Sequence, residues 1–202
     1  MKKSAALLPV LLLMLLLSGC AYAEEPEPDY LEMMVTAAAN GDLEGGYMAE
    51  RARNKSIDKQ HSDEIKISFD ELLLLSKLIY SEAGGDWLRD EQRFCVGEVA
   101  LNRVASPEFP DTLEEVVYQE GQYETVMTAY FQQDLLPSRS CVRIALRLLQ
   151  GERMMEPQVV YGSGAPMGPI YAHYYTDRSG DFFFCESNHP ELYALPVNAD
   201  AP

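Results

Sequence analysis

The apolar positions of this chain fall into three regimes, and each predicts a different kind of structure. Behind Lys2 and Lys3, residues 5–17 form a nearly uninterrupted apolar run, short for a bilayer-spanning helix and fitting the core of a signal peptide. From Tyr30 to Leu149 the apolar residues recur at intervals of three and four, the helical period. From Val159 to Cys185 they gather into short runs rich in Val, Tyr and Phe, separated by Gly-bearing turns, which predicts strands.

Within the helical part, Leu31, Met34, Val35 and Ala38 share one face, Gly41 and Gly45-Gly46 interrupt, and Tyr47 to Lys59 resumes with alternating charge. Residues 30–60 therefore read as a short helical hairpin. Ser68-Phe69-Asp70-Glu71 is a capping box opening a helix through Leu72, Leu75, Leu78 and Ile79 to about Ala83, with Gly84 as its stop. A second helix spans roughly 91–105 on Val96, Val99, Ala100 and Val104, and Pro107 and Pro110 end it. Thr112-Leu113-Glu114-Glu115 opens a short helix to about Tyr118, and residues 119–126 read as irregular or a short hairpin. Ser138 caps a third main helix on Cys141, Ile144, Ala145, Leu148 and Leu149, which Gly151 ends. Strands are predicted at 159–161, 170–175 and 181–185. The pattern is α+β, mostly helical, with a small strand-and-loop region.

Composition then narrows the setting. Leu17-Ser18-Gly19-Cys20 looks like a lipobox, which would make Cys20 a lipidated N-terminus, and Ala21-Tyr22-Ala23 offers ordinary signal cleavage instead. Either exit predicts an extracytoplasmic protein, and the first predicts one anchored to the membrane through Cys20. The organisation expected is a signal peptide with lipobox over 1–20, an acidic tether and short helical segment over 21–67, and one domain over 68–195. Without Lys2 and Lys3, 14 basic residues face 32 acidic ones, a net charge of −18. Nucleic acid is excluded as a partner, since binding it rests on a basic footprint. Three cysteines follow Cys20: Cys95, Cys141 and Cys185. They read either as small buried hydrophobes or as one Cys95–Cys141 bridge with a cysteine left over. Three histidines and no CxxC or HExxH give a metal site no support.

Chemistry centres on Glu82. It follows Ile79 by three, Leu78 by four and Leu75 by seven, which places it on the buried face at the last helical turn. Desolvation and the negative end of the helix would both favour its protonated form, as a general acid requires. Glu98 and Asn102 share a helix face with Cys95 and read as cleft-lining, while Arg103 reads as structural, paired with an acid. Tyr118, Gln119, Gln122 and Tyr123 form an aromatic-amide cluster suited to stacking on sugar rings and bonding their substituents. Cys95 or Cys185 with His173 or His189 would be the parts of a thiol peptidase.

In combination, Glu82 after a Leu-rich helix, Leu101-Asn102-Arg103-Val104, Ser106-Pro107-Glu108-Phe109-Pro110-Asp111-Thr112, and Tyr118-Gln119 followed by Gly121-Gln122-Tyr123 resemble the spore-cortex-lytic and cell-wall hydrolase family of the SleB/CwlJ type. The resemblance covers roughly 68–190 and is strongest over 78–126. It implies a lysozyme-like fold, cleavage of peptidoglycan glycan strands without a cofactor, Glu82 as the catalytic acid, and a glycan groove lined by the Tyr/Gln/Tyr cluster. Residues 161–166 depart from the family pattern, and Glu98 stands where a small or amide residue is usual. No second acid declares itself by spacing, Glu98 and Glu124 being the candidates. This favours lytic transglycosylation, in which one Glu serves as acid and base, over a hydrolytic muramidase. A non-catalytic glycan-binding lipoprotein and the Cys/His peptidase are the competing expectations.

Overall fold

Side-chain caps start the helices where the sequence places them. The computed structural model describes residues 27–178 and 180–193. The signal segment, Cys20 and most of the expected tether lie outside the described residues. Asp29 accepts from Glu32 N (3.0 Å) to open α1 (Tyr30–Asn40), and Asp42 accepts from Gly45 N (2.9 Å) to open α2 (Leu43–Gln60). Gly41 joins the two helices at φ +72, a conformation that costs glycine little. Ser68 opens α3 (Phe69–Ala83). Then follow α4 (Asp90–Val104), α5 (Leu113–Val117), whose cap Thr112 exchanges bonds with Glu115, and α6 (Arg139–Leu149), capped by Ser138. Each such cap contributes about 1 kcal/mol.

Between α5 and α6 lie a 3₁₀ turn (Glu124–Met127) and a short π-helical turn (Tyr130–Asp134), where the sequence pattern specifies nothing. The strands β1 (Val159–Ser163), β2 (Tyr171–Asp177) and β3 (Gly180–Glu186) form one antiparallel sheet in the order β1-β3-β2. The fold is thus mixed and mostly helical, with a small three-stranded sheet. Among the described residues, no helix is long and apolar enough to cross a membrane.

One core joins the helices. Met34, Val35 and Ala38 of α1 pack with Leu72, Leu75 and Ile79 of α3 and with Ile144 and Leu148 of α6, so residues 30–60 share the core of residues 68–150. Glu32 of α1 pairs with Arg139 and Arg143 of α6 across the outside of that contact. Gly46 lies under Phe69, where a Cβ would come within 2.0 Å of the ring. A second, smaller cluster lies between α4 and the sheet: Ala83, Cys95, Val96, Val99, Met155, Val159 and Phe184.

Helix α4 therefore has protein on nearly every side, and almost all of it from Gln92 to Arg103 is buried. At Gly97 a Cβ would meet Leu148 Cδ1 at 2.6 Å and Ile79 Cδ1 at 2.7 Å, so glycine sets the close crossing with α3 and α6. Cys95, Cys141 and Cys185 are all free and buried. The Cys95–Cys141 bridge is not formed: Cys141 belongs to the helical core, and Cys95 faces the sheet.

Candidate active site

Glu82 stands on the expected face of α3, but the helix outruns the core at that point. Leu75, Leu78 and Ile79 are fully buried, whereas one turn later the same face emerges into open space and Glu82 is exposed. The expectation of a desolvated carboxyl is corrected accordingly, because burial passes to Ala83, at 3% exposure.

The helix end is fixed by neighbours rather than by a left-handed glycine cap. Gly84 is right-handed at φ −76, and glycine is needed there for room, since a Cβ would lie 2.3 Å from the Tyr80 carbonyl oxygen. Arg93 reaches over from α4 and donates Nε to the Ala83 carbonyl (3.1 Å) and Nη2 to the Gly85 carbonyl (2.9 Å), while Nη1 pairs with Asp90 (2.9 Å). A cation on orphan carbonyls at a helix C-terminus is favourable in both hydrogen bonding and dipole sense.

The carboxylate is oriented from the other side. Thr125, in the first turn of the 3₁₀ segment, donates Oγ1 to Glu82 Oε1 at 2.7 Å. Ser81 Oγ lies farther off, at 3.3 Å, and its own proton goes to the Leu78 carbonyl (2.9 Å). A hydroxyl has one proton, and the shorter contact to the carboxylate takes it. Val126, buried beside Thr125, anchors this turn in the helical core.

Three hollows meet at Glu82, which among the described residues is the one that lines all three. A groove of about 590 Å³ runs along Tyr80, Gly84, Trp87, Thr125, Thr128 and Tyr130. Exposed Trp87 and Tyr130 give it aromatic walls, and Arg178 stacks over the Trp87 ring at 3.5 Å. A cleft of about 190 Å³ is lined by Leu88, Gln92, Val96, Asp177, Phe182 and Phe184. A hollow of about 60 Å³ lies against Val96, Val99, Arg103, Gln122, Tyr123 and Phe184. Asp177 is held at its cleft by Gln92, whose Nε2 donates to Oδ2 at 2.9 Å.

The expected site residues divide. Gln122 and Tyr123 do come to Glu82. Tyr118 is half-buried with its ring edge-on to Phe131, and Gln119 is half-buried with its Oε1 enclosed, so both act behind the groove wall. Glu98 and Asn102 do not line the cleft. Glu98 is 0% exposed and accepts from Met154 N (2.9 Å) and Met155 N (2.9 Å). Asn102 Nδ2 donates to the carbonyls of Glu156 (3.1 Å) and Val159 (3.0 Å). The polar stripe of α4 is a set of staples holding the chain that enters β1. Glu124 is exposed, in the same turn as Thr125. Arg103 is buried, and among the described residues the expected acid partner is absent: Nε donates to the Val160 carbonyl (2.7 Å), and the guanidinium sits over the rings of Phe109 (5.0 Å) and Tyr123 (5.2 Å).

The thiol reading meets an electrostatic obstacle. Burial pushes the Cys95 thiol up to about 11, with its contact to the Tyr175 hydroxyl (3.8 Å) acting in the opposite direction. The nucleophilic thiolate is therefore scarce near neutrality. Among the described residues, no group of His, Cys, Asp and Glu is disposed to hold a metal.

Thr125, Trp87, Arg93 and Asp177 join the site without a signal in the sequence. None carries a local pattern, since loop residues and strand ends join a site only through tertiary contact.

Comparison with known proteins gives one result. Residues 89–184 match the family model described as Cell Wall Hydrolase. No curated protein and no solved structure matches the chain.

Proposed function

Residues 89–184 make this chain a member of the cell wall hydrolase family, and on that premise we propose that it cleaves peptidoglycan glycan strands with Glu82 as general acid. The observation that carries this reading is the position of Glu82 at the junction of three hollows, oriented by Thr125. The groove has the parts a glycan needs, namely exposed aromatic rings for sugar faces and hydroxyl and amide groups for polar substituents. On this reading the domain is lysozyme-like, outside the cytoplasm, and anchored through Cys20.

In the proposed step, Glu82 protonates the oxygen between N-acetylmuramic acid and N-acetylglucosamine as that bond breaks. Thr125 holds Oε1, which leaves Oε2 to carry the transferable proton. The carboxylate so formed then takes the proton of the muramyl 6-hydroxyl as its oxygen closes on the anomeric carbon. The product is an anhydro end, and one acid suffices. A hydrolytic completion has a specific observation in its favour: Asp177, braced by Gln92, lines the same cleft as Glu82. A second carboxylate across the sugar is what a muramidase uses to activate water or to attack.

Digestion of purified peptidoglycan with mass analysis of the muropeptides tests both levels. Anhydro ends support transglycosylation, and reducing ends alone reverse it in favour of Asp177. Glu82→Gln removes the proton with little change in volume, and substantial remaining turnover refutes the assignment of Glu82.

A further inference from the structure

Helix α3 meets the loop that carries Thr125 with polar side chains about one turn apart. At its end, Glu82 accepts from Thr125 Oγ1 (2.7 Å), and Ser81 Oγ lies beside the same hydroxyl at 3.3 Å. One turn earlier, Lys77 donates Nζ to the carbonyl oxygens of Phe131 (3.1 Å) and Gln132 (3.4 Å). Lys77 and Ser81 are four residues apart and share a helix face.

Those carbonyls belong to the π-helical turn Tyr130–Asp134, which the Leu135 N–H closes on the Tyr130 carbonyl (2.8 Å). The pattern cannot run on to the Gln132 carbonyl, because the residue five further along is Pro137, which has no N–H. An ammonium serves such end carbonyls well. Nζ also stands 6.0 Å from the centre of the Phe131 ring, which is buried edge-on to Tyr118. Burial pushes the Lys77 ammonium below its ordinary range, against the pull of the Asp134 charge. The cation gives up hydration where it holds this turn.

Thr128 passes the hold on. Its carbonyl accepts from Gln132 N (3.3 Å), and its Oγ1 accepts from Phe131 N (3.2 Å) and donates to the Thr125 carbonyl (2.7 Å). The contacts close a loop: Lys77 to the π-helical turn, the turn to Thr128, Thr128 to Thr125, and Thr125 to a carboxylate on the helix where Lys77 stands. Thr125, Thr128 and Phe131 line the groove of about 590 Å³, and Lys77 is not among its walls.

We infer that Lys77 is a positioning residue for Glu82, fixing through Thr128 the place at which the Thr125 hydroxyl meets the carboxylate. The inference rests on reading Glu82 as the general acid and goes beyond it by naming a residue outside the groove that sets the acid's geometry.

A double-mutant cycle on soluble, uncrosslinked peptidoglycan strands tests this, with thermal midpoints showing each protein folded at the assay temperature. Lys77→Met keeps the stem and removes the ammonium. It should lower kcat about tenfold, the scale of a small misplacement of a catalytic group, with KM unchanged. Lys77→Arg, which retains a cation and donors, should recover most of the loss. In the Thr125→Val protein, which has already lost the hydroxyl, Lys77→Met should cost nothing further, whereas independent effects would multiply to about a hundredfold. Thr128→Val reaches the same relay by another route and should likewise lower kcat alone but not in the Thr125→Val background. Multiplied losses, a rise in KM with kcat intact, or equal activity of Lys77→Met and Lys77→Arg overturns the inference while leaving the enzyme reading in place. Absence of cleavage by the unaltered protein, or cleavage that Glu82→Gln leaves intact, removes the general acid and this inference with it.

Discussion

The face of α4 that meets the sheet and the corner around Glu82 are built from similar residues and behave in opposite ways. On the α4 face, Gln92, Glu98 and Asn102 alternate with Val96 and Val99, and their side chains bond backbone groups or, in the case of Gln92, also the Asp177 carboxylate. At the corner, Glu82 is exposed and accepts from the Thr125 hydroxyl, and the guanidinium of Arg103 lies beside Tyr123. A polar atom bonded to backbone is committed to architecture. A polar atom held at the mouth of a groove is available for a ligand. Both places carry a glutamate on a helix, Glu98 and Glu82, and the difference lies in what the opposite wall supplies.

The comparison can be broken most sharply at its two carboxylates. Glu82→Gln should reduce glycan cleavage by at least about a thousandfold, within the range general acids contribute, with no change in thermal midpoint. Glu98→Ala should do the reverse. It leaves the N–H groups of Met154 and Met155 without their acceptor and should cost about 3 kcal/mol of stability, seen as an early unfolding midpoint in denaturant. Activity would then fall only as far as the folded fraction falls. If Glu98→Ala were as stable as the parent but inactive, the division drawn here would be wrong.

Smaller effects sharpen it. Thr125→Val keeps the shape and removes the donor to Glu82, so kcat should drop about tenfold, the worth of one charge-assisted hydrogen bond. The stability should be almost unaffected. Cys95 provides a pH test. Its thiol is raised from an ordinary 9.0 to about 11 by burial, so the folded state holds that proton more tightly than the unfolded chain does. The stabilisation is fully present below pH 9.0 and is lost as pH rises towards 11. Cys95→Ala should flatten that part of the stability profile. Iodoacetamide at pH 7 should leave cleavage untouched, and rapid inactivation would revive the thiol peptidase.

Much of the fold was legible because it is written locally. Ser68, Thr112 and Ser138 announce helix starts through hydroxyls that need only the next three residues, and α3, α5 and α6 begin where those residues stand. The site was legible in part. The spacing of Leu75, Leu78 and Ile79 points to the face that carries Glu82, but periodicity is blind to where a helix leaves its core, so it called for burial at a position that opens on a groove. The same blindness turned the stripe of Glu98 and Asn102 into a cleft wall when it is a seam. Trp87, Thr125 and Asp177 could not be found by spacing, since each arrives from a different loop or strand end. The turn over Tyr130–Asp134 lacks the 3.6-residue signature, which a π-helical geometry does not produce.

The strand order carries a consequence for timing. Among the described residues β3 is the last strand and lies between the other two, so neither β1 nor β2 has a partner until it arrives. Phe182 and Phe184, which wall two of the hollows at Glu82, ride in on that same strand. A polypeptide emerging from its N-terminus thus completes helices α1–α6 before the sheet can close, and the hollows at Glu82 gain those two aromatic walls only after residue 184 has been delivered.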